Sequence, residues 1–124
     1  MAVNSFSDFT GGNRPPDVTL DYFTAQLQYF DALLQWRTTQ EENLDGFNIL
    51  RATSLDGPRQ QLNPQIIPPA GPGWDYEFTD STIEPGMTYY YWLQVVGFNG
   101  RIVYIGPNLV KFVIQYLPLI MNRR

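Results

Sequence analysis

The sequence predicts an all-β domain, an antiparallel sandwich of about seven strands. Three observations carry that expectation. From Asp17 onward the hydrophobic period is two rather than 3.6. The alternating runs are rich in β-branched and aromatic residues, the aromatics alone making 15% of the chain. Turn formers such as Asp45-Gly46, Asp56-Gly57-Pro58, Pro85-Gly86 and Asn99-Gly100 separate the runs at the short spacings of a sandwich. With 124 residues, no internal repeat and no second run of different composition, one domain is expected.

Residues 1–16 are polar, contain Gly and close on Pro15-Pro16, so they read as an extended leader. Val18 to Thr24 and Phe30 to Thr38 alternate apolar with polar and predict two half-buried strands. Gly46 to Arg51 predicts a third, with Phe47 and Ile49 on one face and Asn48 and Leu50 on the other. The Pro-rich stretch from Asp56 to Gly73 suits loops or a short edge strand, since Pro cannot donate to a ladder. Asp75 to Thr79 is a short further strand, and Pro85-Gly86 a turn in which Pro presets φ and Gly admits φ > 0. Thr88 to Val96 is the strongest strand signal, followed by the Asn99-Gly100 hairpin turn. Ile102 to Ile105 and Leu109 to Ile114 read as one strand bent at Gly106-Pro107. The expected sandwich therefore spans 17–115, and 116–124 form a C-terminal tail.

Three features resemble the fibronectin type III family, of immunoglobulin-like architecture. They are Trp36 on the second strand, Gly46-Phe-Asn-Ile-Leu-Arg51 as the third, and Ile83-Glu-Pro-Gly-Met-Thr-Tyr89 leading into the sixth. The last is similar to the family's tyrosine corner, and that resemblance implies that Tyr89 hydrogen-bonds the backbone of the preceding turn. Residues 39–51, with Leu62-Asn63, Ile67-Pro68, Tyr76 to Asp80 and Tyr104 to Pro107, are similar to modules of secreted and cell-surface bacterial proteins. Tyr116-Leu-Pro-Leu-Ile120 resembles short tails of Chloroflexus-type extracellular proteins. The resemblance implies a scaffold, spacer or adhesion module placed outside the cell or at its surface, although no signal peptide precedes Asp17 in this sequence.

Composition narrows the chemistry. The chain has no His and no Cys, which removes the imidazole base, the thiolate nucleophile and the usual ligands of zinc, haem and iron–sulfur centres. A formal charge of -4, with one Lys and scattered Arg, lacks the basic footprint of nucleic-acid binding. The longest apolar run, Phe112 to Met121, is broken by Gln115 and Pro118 and is shorter than the about 20 residues of a spanning helix, so no transmembrane segment is expected. Glu41, Glu42, Asp45, Asp75, Glu77 and Asp80 are the carboxylate groupings. They show no calcium-loop spacing and no supporting motif for paired-carboxylate hydrolysis, so no catalytic residue, metal or cofactor is expected.

Two anomalies point to assembly. With Tyr89, Tyr91, Leu93 and Val95 inward, alternation turns Tyr90, Trp92, Gln94 and Val96 outward beside Leu50, an apolar strip of the kind that marks protein contacts. The C-terminal segment is apolar on both faces and continues through Tyr116, Leu117, Leu119, Ile120 and Met121, an aggregation hazard if left uncovered. These residues, with Val3, Phe6 and Phe9 of the leader, are the candidate subunit interface of a homo-oligomer or homopolymer joined by tail docking or strand addition. The alternative is a glycan-binding module in which Trp74, Tyr90 and Trp92 stack on sugars.

Overall fold

The computed structural model describes residues 15–113. Seven strands follow one another: β1 (Asp17–Gln28), β2 (Asp31–Glu42), β3 (Leu44–Ala52), β4 (Gln60–Gln61), β5 (Tyr76–Asp80), β6 (Thr88–Gly97) and β7 (Ile102–Lys111). They form a three-stranded sheet in the order β1-β2-β5 and a four-stranded sheet in the order β4-β3-β6-β7, with every pairing antiparallel. The described residues contain no helix. The all-β sandwich expected from the sequence is what forms.

Element boundaries differ from the expectation at several places, for local reasons. The first hairpin is longer, with twelve residues in each of β1 and β2, because pairing continues through the polar positions Gln26 and Gln28 once the turn has closed. Phe30, expected at the start of a strand, sits instead in that turn behind Tyr29, whose φ of 59° is uncommon for a residue with a side chain. Asp45-Gly46, expected as a turn, lies inside β3 at a register shift, the chain turning at Asn43 (φ 58°) instead, and the last strand, expected to reach Ile114, ends at Lys111. The Pro-rich stretch contributes the two-residue edge strand β4 and a single bridge from Ile67 to Phe47. β7 passes through Gly106-Pro107 as one strand, and its register against β6 shifts between Tyr91 and Leu93. Gly106 has φ 123°, and a Cβ there would lie 2.8 Å from the Tyr91 carbonyl oxygen, so backbone conformation and close approach both require glycine.

The core is an aromatic cluster between the sheets. Trp36 of β2 stacks on Tyr76 of β5 at 5.2 Å between ring centroids and meets Phe47 of β3 edge-on at 5.7 Å. Phe47 meets Tyr76 edge-on at 4.9 Å, which closes the triangle in the geometry that ring quadrupoles favour. Leu34, Ile49, Tyr91, Leu93 and Val95 fill the space around it. Tyr89, Tyr91, Leu93 and Val95 are therefore inward, as alternation required. Among the described residues, Trp36 Nε1 is the buried side-chain polar atom left without a partner. Pro16 is buried against Gly97, so the fold takes in the end of the stretch read as a leader.

Candidate functional site

Two polar clusters tie the sandwich together and define what is scaffold. At the end of β6, Glu84 N–H donates to Tyr89 Oη at 2.8 Å, the contact that the tyrosine-corner resemblance implied. The Arg51 guanidinium lies 5.0 Å from the centroid of the same ring. Next to it Asp80, buried at the end of β5, accepts from Arg51 Nη1 at 2.8 Å, Tyr91 Oη at 2.7 Å and Thr82 Oγ1 at 2.7 Å. Burial pushes the Asp80 carboxyl up, but the donors Thr82, Tyr91 and Arg51 together hold it below its ordinary value. Burial and the Asp80 carboxylate raise the Tyr91 phenol, so the proton stays on tyrosine. At the other end of the core Tyr76 Oη donates to Glu41 Oε2 at 2.6 Å, and burial is the main reason that its pKa is pushed up to about 12. Asp75, exposed, is lowered by hydrogen bonds from Arg37 and Tyr22. Every one of these carboxylates serves a structural bond, and the described residues contain no group of His, Cys, Asp or Glu arranged for a metal.

The candidate site is the outer face of the β4-β3-β6-β7 sheet. A ladder of hydrogen bonds crosses it: Asn63 Nδ2 donates to Asn48 Oδ1 at 2.7 Å, Asn48 Nδ2 to Gln94 Oε1 at 2.8 Å, and Gln94 Nε2 to Tyr104 Oη at 3.5 Å. Such cross-strand pairs hold register and stiffen the face. In the neighbouring row, Leu50, Ala52 and Trp92 form a small second core with Tyr90 packed against it. The exposed strip expected from Leu50, Tyr90, Trp92 and Val96 is thereby corrected. These side chains do point outward, yet Leu50 and Trp92 are buried and Tyr90 and Val96 are half-buried. Trp92 keeps only 4% of its surface because Arg59, from the segment before β4, lays its guanidinium 3.8 Å from the ring centroid and 5.3 Å from that of Tyr104. The exposed apolar residues of this face lie one strand further out, on β7, where Ile102, Tyr104 and Leu109 oppose Val96, Gln94 and Tyr90.

A second apolar patch caps one end of the sandwich. Tyr29 and Phe30, at the tip of the first hairpin, are 87% and 73% exposed, and the Phe30 ring lies 6.1 Å from that of Phe112. Phe112 N donates to the Met87 carbonyl at 2.9 Å, which brings the exposed Met87 and Val113 to the same pole. None of Tyr29, Phe30, Met87 and Val113 was singled out by the sequence reading; Tyr29-Phe30 in a turn between two alternating runs was the available signal. The expected interface residues Val3, Phe6, Phe9, Tyr116, Leu117, Leu119, Ile120 and Met121 lie outside the described residues. Trp74 is 57% exposed, beside the Gly71–Gly73 turn and away from Tyr90 and Trp92 in the sheet. The three aromatics proposed to stack on sugars therefore do not form one platform, and the Trp92 ring is covered.

No protein-family model matches the chain, and no curated protein matches it. Solved structures do. An Fn3-like protein from Clostridium thermocellum superposes with a TM-score of 0.60 at 20% identity, over 84% of this chain and 99% of that one. A pectate lyase from Pectobacterium carotovorum matches at TM-score 0.57 and 20% identity over 75% of this chain, and a pectate lyase from Erwinia chrysanthemi, in complex with tetragalacturonic acid, at 0.53 and 18% over 77%. The chain spans about a quarter of those enzymes, 26% and 28% of their lengths. The fold is a fibronectin type III-like β-sandwich, and at these identities the likeness is one of fold.

Proposed function

We propose that the chain is a non-enzymatic structural subunit that assembles with copies of itself at a cell surface or outside the cell. The observation that carries this reading is the apolar pole of Tyr29, Phe30, Met87 and Val113, from which the sequence continues directly into Tyr116-Leu-Pro-Leu-Ile-Met121. An uncovered apolar patch next to an apolar segment is a pair of surfaces that water drives together. Docking of that segment on the pole of a neighbour is a head-to-tail contact, and such a contact builds a filament unless its rotation closes a ring. The extracellular placement and the Chloroflexus-type character of the tail belong to this proposal and rest on the sequence resemblance. Light scattering coupled to size-exclusion chromatography, followed by negative-stain microscopy, tests it on the intact chain and on a chain ending at Gln115. Assemblies of the intact chain that vanish on truncation support the reading. A monomer in both forms, of 14.3 kDa for the intact chain, refutes it.

A second reading, a carbohydrate-binding module, is favoured by one observation, the exposed ring of Trp74. It predicts quenching of tryptophan fluorescence by an added polysaccharide, lost in Trp74→Ala and retained in Trp92→Phe.

A further inference from the structure

Resting on the self-assembly reading, we propose that the two outer sheet faces of this sandwich bind each other in successive copies. The Arg59, Trp92 and Tyr104 surface of one chain seats on the carboxylate-bearing β1-β2-β5 face of the next.

The two faces differ in charge. On the outer side of β1-β2-β5 stand Asp21, Asp31, Asp75 and Glu77 with a single cation, Arg37. Arg37 is already committed to Asp75 at 2.6 Å and Asp21 at 3.8 Å. Glu77, exposed near the start of the edge strand β5, has a long hydrogen bond from Gln35 at 3.5 Å and no ion pair among the described residues. On the opposite side of the molecule the outward positions of β6 and β7 hold no carboxylate, and the one carboxylate of β3, Asp45, lies at the register shift near the start of that strand. They hold Lys111 and the exposed Ile102, Tyr104 and Leu109, and Arg59 lies across them.

Arg59 is the centre of that surface. A guanidinium stacked on an indole uses its face, which leaves the N–H donors in its plane free for a carboxylate in bidentate geometry. Among the described residues no carboxylate pairs with it. The combination of Arg, Trp and Tyr is the composition that concentrates binding energy in protein interfaces. Two aromatic faces brought together would oppose Arg59 and Lys111 to their own copies, and two carboxylate faces would repel likewise. Unlike faces attract, so the contact is heterologous and each added copy presents a fresh face of either kind. Addition of a strand at the β7 edge competes poorly, because Pro107 has no N–H to donate in mid-strand.

The test is a charge swap in the full-length chain, read by light scattering across a salt series. Wild-type association should weaken as salt is raised. R59E and E77R should each weaken association by about tenfold or more through like-charge opposition. An equimolar mixture of the two variants should recover it, because the carboxylate introduced by R59E then meets the guanidinium introduced by E77R. A merely structural role for Arg59 gives no such recovery. Wild-type-like association of either variant, or a folded mixture that stays dissociated, overturns the face-to-face contact and leaves the assembly reading standing. A wild-type chain that is monomeric throughout overturns both. Should R59E not fold, unchanged association of E77R is sufficient to overturn the contact, and its loss by tenfold supports it.

Discussion

Asp80→Ala is the substitution whose cost the structure specifies most closely. The carboxylate accepts from Arg51, Tyr91 and Thr82, the last through both its hydroxyl and its N–H at 3.1 Å. Removing it strands two groups. Arg51 keeps neutral acceptors, Thr82 Oγ1 at 2.8 Å and Gln60 Oε1 at 3.2 Å, so its loss falls at the lower end of the about 3–5 kcal/mol for breaking a buried ion pair. The buried Tyr91 hydroxyl loses its acceptor, which adds about 1 kcal/mol. The sum, about 4 kcal/mol, lowers Tm by roughly 15–30 °C in a domain of this size. Urea unfolding followed by tryptophan fluorescence measures it, with an unchanged m-value as the sign that the native fold persists. Asp80→Asn keeps an acceptor for Thr82 and should cost about half as much. The sign of the pH dependence follows from the lowered folded-state carboxyl: its stabilisation is present above the unfolded value of about 4 and is lost as pH falls through the folded one. Asp80→Asn should therefore lack that part of the acid destabilisation. A loss below about 1 kcal/mol in Asp80→Ala would refute the claim that this network holds the two sheets together.

Three further outcomes follow from the same structure. Arg59→Ala should cost about 0.5–1 kcal/mol, the worth of a cation–π contact whose cation is exposed, and shift Trp92 emission to the red as the ring meets water. Tyr89→Phe leaves the Glu84 N–H without its acceptor and should cost about 1 kcal/mol by thermal or urea unfolding. In alkali, Tyr76 is protonated in the folded chain well above its ordinary value of 10, so stability present below pH 10 is lost as pH rises toward about 12. Tyr76→Phe should be less stable at neutral pH, having lost the Glu41 bond, and show a flatter decline over that alkaline interval.

The candidate site was only half legible. Alternation on β6 correctly turned Tyr90, Trp92, Gln94 and Val96 outward, because side-chain direction in a strand is a local property of the pleat. It could not say that Arg59 lies over Trp92, since that contact joins residues thirty-three positions apart in a segment whose Pro-rich pattern specifies only that it is not a helix. Nor could it show that exposure passes to Ile102, Tyr104 and Leu109, because β7 lies at the sheet edge and among the described residues no further strand lies beside it.

What the sequence alone determined about this protein is what depends on near neighbours. That covers the strand periods, the turns at Pro85-Gly86 and Asn99-Gly100, the corner between Tyr89 and Glu84, and the absence of the His and Cys that usually hold zinc, haem and iron–sulfur centres. Tertiary structure decided what depends on distant segments meeting. It joined Asp80 to Arg51 across the two sheets, gathered Tyr29, Phe30, Met87 and Val113 at one pole, and left carboxylates on one outer face with Arg59 on the other. Burial and charge are properties of the assembled surface, and a side chain acquires them from whatever the rest of the chain lays against it.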